Sequence, residues 1–162
     1  MKKVFLLFLI ASLAIMARDP VHREGTHMPV FMSREALDHS VKYISEARDM
    51  VQTGKIYYRA PYIYVNERYK GVHVINNADP AAPANEGFIL APGCIDMAVK
   101  GNILYLDNAV DLVSFDLDSK QVTSRIRDVF PEPLPPNDFF YYGMLRPEGY
   151  VLVEWKTTTK SY

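Results

Sequence analysis

Cys94 is the only cysteine in this chain of 162 residues, and a cysteine is a natural candidate for nucleophilic chemistry. A nucleophilic thiol needs a lowered pKa and a nearby base such as histidine. The nearest candidate base is His73, which lies about 20 residues earlier in the chain. A free cysteine commonly behaves as a small apolar residue. The pattern therefore favours a buried thiol over a nucleophile.

Four aspartates are close enough in sequence to raise the question of a calcium site: Asp107, Asp111, Asp116 and Asp118. Hard cations need several oxygen ligands that converge from one loop, and the stretch DLDSKQ lacks the glycine and the distal glutamate of an EF-hand. Asp116 and Asp118 are therefore predicted to end a strand and shape a turn, as is the stretch NNADP at residues 76–80.

The remaining motifs predict neither a metal site nor a catalytic centre. The histidines have no metal-ligand spacing; they are His22, His27, His39 and His73. The chain contains no glycine-rich phosphate loop, no G-x-S-x-G and no H-E-x-x-H. We therefore predict no metal, no cofactor and no catalytic residue. A hydrolase remains the alternative, and it would be favoured if Asp96, Asp107 and Asp111 converged in one concave pocket.

Aromatic side chains are the candidates for ligand binding, because Tyr and Trp combine apolar area with a polar group. The tyrosines at 57, 58, 62 and 64 are predicted to pack in a sheet core. Residues 139–142 follow a proline-rich loop and are the better candidates for an exposed patch. The candidate ligand-binding residues are Phe139, Tyr141, Tyr142 and Trp155.

Residues 1–17 have the layout of a secretory signal peptide. Two lysines precede an apolar run at residues 4–16, and small residues provide cleavage sites after Ala14 or Ala17. A membrane anchor is the alternative, but a spanning helix needs about 20 apolar residues and this run stops earlier, at Arg18. The pattern predicts export to the periplasm or cell envelope, with no spanning segment after the signal is removed.

Without the predicted signal peptide the mature chain has roughly 145 residues, which is the size of one domain. The net charge of −1 gives no basic excess that would favour nucleic acid or an anionic membrane surface. A single cysteine cannot form an intramolecular disulfide. Export without disulfides fits a bacterial envelope.

Residues 18–53 are predicted to form an N-terminal arm with a short helix. Residues 18–32 favour a linker or an extended arm. Ser33 is a candidate N-cap for a helix that ends near His39 or Ser40. The alternative is that residues 41–44 begin an extended segment.

From residue 54 onward the sequence predicts β-structure in two similar sets of four short strands. The segments YIYVNERYKGVHVIN (62–76) and ILYLDNAVDLVSFD (103–116) align about 41 positions apart. The first set is predicted at 55–58, 62–66, 72–75 and 86–90, and the second at 95–99, 103–107, 112–117 and 121–126. The aligned pairs are Tyr64 with Tyr105, Asn66 with Asp107, Val72 with Leu112 and Ile75 with Phe115.

Four strands in about 40 residues is the size of one propeller blade, so the predicted fold is all-β with propeller-like antiparallel blades. Residues 150–155 are predicted to be one strand of a third, incomplete set. A closed propeller needs four or more blades. We therefore expect an open structure that either self-associates, docks on another β protein, or is a truncated remnant of a longer design.

The segments KIYYRAPYIYVNERYKGVHVINNADPAAP and GFILAPGCIDMAVKGNILYLDNAVDLVSFDL resemble the LVIVD-repeat proteins of Bacteroidetes, with DLVSFDL as the counterpart of the namesake segment. The resemblance covers roughly residues 29–155. It implies an exported, largely uncharacterised β-propeller-like protein, and it brings no established catalytic residues. Family members are usually longer, and many carry a lipobox cysteine that this chain lacks. The expected function is a non-catalytic binding or scaffolding module of the envelope.

Overall fold

The chain forms antiparallel β-sheet with one short helix. The computed structural model describes residues 26–136 and 146–158. In chain order the described elements are β1 (Thr26–Ser33), α1 (Arg34–Asp38), β2 (Lys42–Ile44), β3 (Thr53–Arg59), β4 (Tyr62–Glu67), β5 (Gly71–Asn76), β6 (Ala84–Leu90), β7 (Met97–Lys100), β8 (Ile103–Asn108), β9 (Asp111–Asp116), β10 (Gln121–Ile126) and β11 (Tyr150–Thr158).

The two predicted sets of strands form two separate sheets. The first sheet has the order β2-β6-β5-β4-β3 and the second has the order β10-β9-β8-β7. Within each set, strands that follow one another in the chain pair side by side and antiparallel. The all-β prediction is confirmed, whereas the described residues form no closed barrel or propeller.

The central hairpins of the two sheets have the same register. Residues that the sequence aligned across the repeat have equivalent cross-strand partners, so the strand pairing reproduces the predicted alignment. The equivalent pairs in the first and second sheets are Asn66–Val72 and Asp107–Leu112, and Ile63–Ile75 and Leu104–Phe115.

Strand β7 begins at Met97, two residues later than predicted. The backbone N–H groups of Ile95 and Asp96 both donate to one carboxylate oxygen of Asp107, at 2.8 and 2.9 Å. These N–H groups are therefore used by a side chain and not by a strand ladder. The sequence predicts the strand but not this competing acceptor.

The N-terminal segment is more ordered than a linker. Strand β1 begins at Thr26 and pairs with β11 in a two-stranded sheet, so from residue 26 the segment is extended, which is one of the two alternatives given for residues 18–32. Strand β2 joins the first sheet beside β6. His27–Thr157 form one compact unit, and the arm predicted for residues 18–53 is part of that unit from His27.

Helix α1 is one short stretch after Ser33. The Ser33 hydroxyl oxygen accepts a hydrogen bond from the backbone N–H of Ala36 at 3.2 Å, as an N-cap does. Leu37 is the buried residue of this helix. The helix ends at Asp38, and His39 is its C-cap.

The main core lies between the two large sheets. Residues on facing sides of the sheets form one apolar cluster. The members from β4, β5 and β6 are Tyr64, Val72 and Ile89, and those from β7, β8 and β9 are Met97, Val99, Leu104, Leu106, Val113 and Phe115. A second cluster joins Leu37 and the β8–β9 turn to Val151 and Val153 of β11. Among the described residues, no helix is long and apolar enough to span a bilayer.

Candidate functional site

A cleft lies where the β4–β5 turn, the start of β3 and the two-stranded sheet approach one another. It has a volume of about 600 Å³. Its lining combines aromatic rings with polar and charged groups, a composition that is typical of ligand sites. The lining residues are His27, Gln52, Thr53, Gly54, Asn66, Arg68, Tyr69, Ile95, Pro136, Trp155 and Thr157.

Asn66 is the polar residue in this cleft with the clearest unmet bonding capacity. It lies in β4 and is only 1% exposed. Its amide nitrogen Nδ2 donates to the Gly71 carbonyl and to Cys94 Sγ, both at 3.2 Å. Since the Gly71 carbonyl can only accept, this bond fixes which end of the amide is nitrogen. The other end, Oδ1, is buried and accepts no hydrogen bond from the described residues.

Gly54 lies next to the Asn66 Oδ1 atom. A Cβ atom on Gly54 would come within 2.7 Å of Asn66 Oδ1, so only a glycine leaves room for the amide there. Gly54 lines the cleft, and it falls where the register between β3 and β4 shifts, between Thr53 and Ile56. Such an irregularity removes ladder partners locally. The orphaned oxygen is therefore next to backbone that the cleft exposes.

Asp107 shows what the equivalent position does in the second sheet. Its carboxylate oxygen accepts from two backbone N–H groups, of Ile95 and Asp96. Burial raises the pKa of Asp107, and these two N–H groups partly offset the rise. The same repeat position is thus satisfied by backbone in one sheet and unsatisfied in the other. Unmet bonding at Asn66 is not a general property of the repeat.

Arg68 and Tyr69 form the wall of the cleft at the β4–β5 turn. The Arg68 guanidinium lies over the Tyr69 ring, 5.0 Å from its centroid, and donates to the Tyr69 hydroxyl at 3.2 Å. Tyr69 is buried and has a positive φ of 63°. The buried ring holds the exposed cation of Arg68 at the rim, where it can meet an acceptor or an anionic group.

The two-stranded sheet supplies the opposite wall. Trp155 of β11 is buried, and its indole N–H donates to the Pro133 carbonyl at 2.9 Å. His27 of β1 and Thr157 of β11 are linked through His27 Nδ1 and Thr157 Oγ1, at 3.1 Å. Trp155 is thus the one sequence-predicted ligand-binding residue that the described structure places in the cleft.

Glu67 anchors the segment that leads into the cleft. Its carboxylate accepts from the backbone N–H groups of Val51 and Gln52, and His73 Nε2 lies 3.2 Å from it. Burial alone would raise the pKa of Glu67, but these hydrogen bonds outweigh burial and hold the pKa below its ordinary value. His73 is fully buried beside Phe88. The pair fixes the segment before β3.

Cys94 is buried in the main core, as favoured by its sequence context. Burial, reinforced by the Asp107 carboxylate, raises the pKa of the thiol well above its ordinary value. His73 bonds to Glu67, and the partners of Cys94 Sγ are Asn66 and the Asp96 carbonyl. The geometry therefore gives Cys94 the character of a neutral thiol rather than a nucleophile.

Of the three carboxylates that would favour a hydrolase, Asp96 and Asp107 are neighbours through the Asp96 backbone N–H, whereas Asp111 is held by two arginines. Asp111 is fully buried and bonds to Arg34 and Arg125, both at 2.7 Å. Burial alone would raise the pKa of Asp111, but Arg34, the Asp128 backbone N–H and Arg125 hold it below its ordinary value. Asp116 accepts from Asp118 and Ser119 N–H groups and shapes the β9–β10 turn, as predicted.

The stretch NNADP also forms its predicted turn. Asn76 and Asp79 side chains accept from the backbone N–H groups two residues onward, at Ala78 and Ala81. Over residues 26–136 and 146–158, no three histidine, cysteine, aspartate or glutamate side chains are grouped so that they could hold a metal ion. His39 is exposed, and His22 lies outside the described residues.

The other aromatic residues singled out in the sequence lie in different parts of the protein. Phe139, Tyr141 and Tyr142 lie outside the described residues. Tyr62 and Tyr64 line a smaller cavity of about 270 Å³ between the two sheets, beside Tyr43. Tyr57 packs against the main core, whereas Tyr58 is exposed. The predicted core role therefore holds for three of the four tyrosines named in the sequence.

No protein-family model matches the chain, and no curated protein or solved structure matches it. The cleft is therefore interpreted from its own geometry. It offers one buried acceptor at Asn66, one exposed cation at Arg68 and the surfaces of two aromatic residues. Such a set can hold a small polar ligand by hydrogen bonds without a chemical step.

Proposed function

We propose that this chain is an exported, non-catalytic binding module of the cell envelope, built from propeller-like repeats of the LVIVD type. The unmet acceptor of Asn66 in the cleft carries the proposal of binding. The equal register of the two hairpins supports the proposal of propeller-like repeats. The N-terminal pattern of residues 1–17 supports export.

The ligand class follows from the groups in the cleft. Asn66 Oδ1 requires an O–H or N–H donor, because a buried acceptor without a partner costs free energy. Arg68 offers donors at the rim, and Tyr69 and Trp155 offer apolar surface. A small molecule with several hydroxyl groups and apolar C–H faces, such as a mono- or disaccharide, combines these features.

The test is a titration of the protein with glucose, galactose, N-acetylglucosamine and their disaccharides, followed by NMR shift changes and calorimetry. We expect at least one sugar to bind with shifts confined to the cleft. Asn66→Leu should weaken binding roughly fivefold or more, because one hydrogen bond contributes about 1 kcal/mol. Gly54→Ala should also weaken binding, because its Cβ occupies the space in front of Asn66 Oδ1.

Asn85→Leu is the matched control. The Asn85 amide oxygen is also buried and accepts no hydrogen bond from the described residues, but Asn85 does not line the cleft. This variant should bind the sugar as the wild type does. If no sugar binds, or if the Asn66 and Asn85 variants are affected equally, the cleft is not the binding site.

Export is tested separately with the full chain expressed in a Gram-negative host. We expect the protein in the periplasmic or membrane fraction, with an intact mass that corresponds to cleavage after Ala14 or Ala17. Cytoplasmic protein with an intact N-terminus would contradict the proposal.

A further inference from the structure

Three tyrosines line the cavity of about 270 Å³ that lies between the two large sheets. Tyr62 and Tyr64 belong to β4, with ring centroids 6.3 Å apart, and Tyr43 belongs to β2. The second sheet contributes Phe115 of β9 and Leu117, which follows that strand. A cavity of this size is smaller than most pockets for drug-sized molecules, so it suits a small ligand.

Tyr43 is held in place by the neighbouring strand β6. Its hydroxyl donates to the Glu86 carbonyl at 3.1 Å. A Cβ atom on Gly87 would come within 2.4 Å of the same hydroxyl oxygen, so the glycine leaves room for the ring. A glycine inside a strand weakens the strand and often marks such a close approach. The position of the Tyr43 ring is therefore specified by two features of β6.

The chain's own Lys120 places an ammonium group on this ring. Lys120 Nζ lies over the face of the Tyr43 ring, 4.0 Å from its centroid. The face of an aromatic ring attracts cations, and at an exposed site this attraction is weak. Lys120 is exposed and lies in the β9–β10 turn. Its side chain can therefore leave the ring for solvent when another cation takes its place.

The charged side chains around the cavity favour a cation once Lys120 has left. Glu86 and Asp118 line the cavity, and both are exposed at its rim. Arg59 is hydrogen-bonded to Tyr64 and is the other cation in this region. Two carboxylates and two cations balance while Lys120 lies on the ring. Without the Lys120 ammonium, the two carboxylates face Arg59 alone.

The inner walls favour a methylated cation over a primary one. The side chains of Val74, Ile89 and Phe115 carry no hydrogen-bond acceptor. A primary ammonium has three N–H donors and would lose their hydration against such walls. A trimethylammonium group has no N–H donor, and its methyl groups can pack on apolar and aromatic surfaces.

We propose that this cavity binds the trimethylammonium group of a choline-type ligand, which replaces the Lys120 ammonium on the Tyr43 ring. Lys120 acts as an internal competitor that the ligand displaces. The cavity shares no lining residue with the cleft around Asn66, so it is a second site. Its recognition does not depend on sugar binding in the cleft.

Calorimetric and NMR titration of the protein with choline tests the proposal against two analogues. In the first analogue a carbon atom replaces the nitrogen, which keeps the shape and removes the charge. The second analogue, ethanolamine, has a primary ammonium group. We expect choline to bind with shift changes at the cavity, and each analogue to bind at least about fivefold more weakly. Equal binding of either analogue, or no binding of choline, would overturn the proposal.

Lys120→Ala and Tyr43→Leu should change choline binding in opposite directions. Lys120→Ala removes the competitor and should tighten binding about twofold to fivefold. Alanine also has a Cβ atom, so the backbone cost of the positive φ of 56° is unchanged. Tyr43→Leu removes the ring and should weaken binding about fivefold or more. Unchanged or weaker binding by the Lys120 variant would overturn the displacement of Lys120.

Three variants outside the cavity are the matched controls. Lys100→Ala removes the same charge, and Tyr58→Leu removes an exposed ring; both should bind choline as the wild type does. Asn66→Leu should also leave choline binding unchanged, so a failure of sugar binding in the cleft and a failure at this cavity are distinct results. Circular dichroism should show that the Tyr43 variant is folded; if it is not, the Lys120 variant still provides the test.

Vesicles distinguish a free ligand from a lipid head group with the same chemistry. Flotation of the protein with phosphatidylcholine vesicles but not with phosphatidylethanolamine vesicles would assign the cavity to the lipid head group. No flotation with either vesicle would assign it to a free choline-type molecule. When choline itself binds, both results support recognition of the trimethylammonium group.

Discussion

Asn66 and Asp107 occupy the same repeat position, yet their hydrogen bonding differs. The Asp107 carboxylate accepts from two backbone N–H groups, whereas the Asn66 amide oxygen accepts from none of the described residues. The sequence alignment pairs the two residues, but it cannot reveal this difference, because the register shift between Thr53 and Ile56 decides which N–H groups are within reach. The residue that best defines the cleft was therefore not predicted.

Asp111 is the residue for which a loss of charge should be most costly. Asp111→Asn removes the charged partner of Arg34 and Arg125, both of which are largely buried. We expect the free energy of unfolding at neutral pH to fall by about 2 to 3 kcal/mol, less than for a fully buried pair because Arg34 keeps some solvent contact. Urea denaturation measures this, with Asp118→Asn at an exposed turn position as the control.

The effect of Asp111→Asn should depend on pH. The pKa of Asp111 is lowered by folding, so its contribution to stability is complete above the unfolded pKa of about 3.9 and is lost as pH falls through the folded value. The difference between wild type and variant should therefore shrink below about pH 4. A constant difference down to about pH 2 would show that the charge of Asp111 is not the cause.

Turn chemistry decides how the strands of each sheet are joined. Gly71 at the start of β5 has a φ of 141°, and a Cβ there would lie 2.0 Å from the Ile89 carbonyl oxygen. Gly101 also has a positive φ, but a Cβ there would meet no atom within 4 Å. Comparing alanine variants at these two positions therefore distinguishes the free-energy cost of a positive φ from the cost of a steric clash.

Gly71→Ala should destabilise the protein more than Gly101→Ala. The Gly101 variant should lose about 1 kcal/mol, the cost of a positive φ for a residue with a Cβ. The Gly71 variant should lose more than about 2 kcal/mol, because the clash forces β5 and β6 apart. Thermal and urea unfolding measure both, and equal losses would show that the close approach at Gly71 relaxes without cost.

The sequence predicts most of the strands but little of the cleft. Alternating apolar residues and turn residues indicate the strands of both sheets, and the register of the repeat follows from the aligned hairpins. The pairing of β1 with β11 was not predicted, because prolines and polar residues at 18–32 are typical of a linker or an extended arm, whereas Val30 and Met32 pack on a distant part of the chain. The cleft joins Asn66 to Trp155, and local patterns do not predict such long-range proximity.

At the scale of the whole molecule, the core between the sheets should make unfolding cooperative. Tyr64 and Val72 of the first sheet and Leu104 and Phe115 of the second belong to one buried cluster. Neither sheet can expose its inner face without exposing that of the other. The two sheets are therefore expected to unfold in one transition.

Leu104→Ala tests this coupling. Leu104 is fully buried, and its truncation should lower the free energy of unfolding by about 2 to 5 kcal/mol. Trp155, the only tryptophan, reports on β11 by fluorescence, and circular dichroism reports on all sheets. Both signals should shift together to lower denaturant. A fluorescence transition separate from that of circular dichroism would show that the two-stranded sheet unfolds independently of the large sheets, and two transitions in circular dichroism would show that the large sheets unfold independently of each other.

Cys94 allows the opening of this shared core to be measured by thiol labelling. Cys94 is fully buried in the core cluster between the two sheets, so a thiol reagent is expected to react with it only when the structure opens. When opening and closing are fast relative to labelling, the rate at which a thiol reagent labels the native protein is proportional to the fraction of molecules that are open. This one natural residue therefore reports the fraction of molecules in which the two sheets have separated.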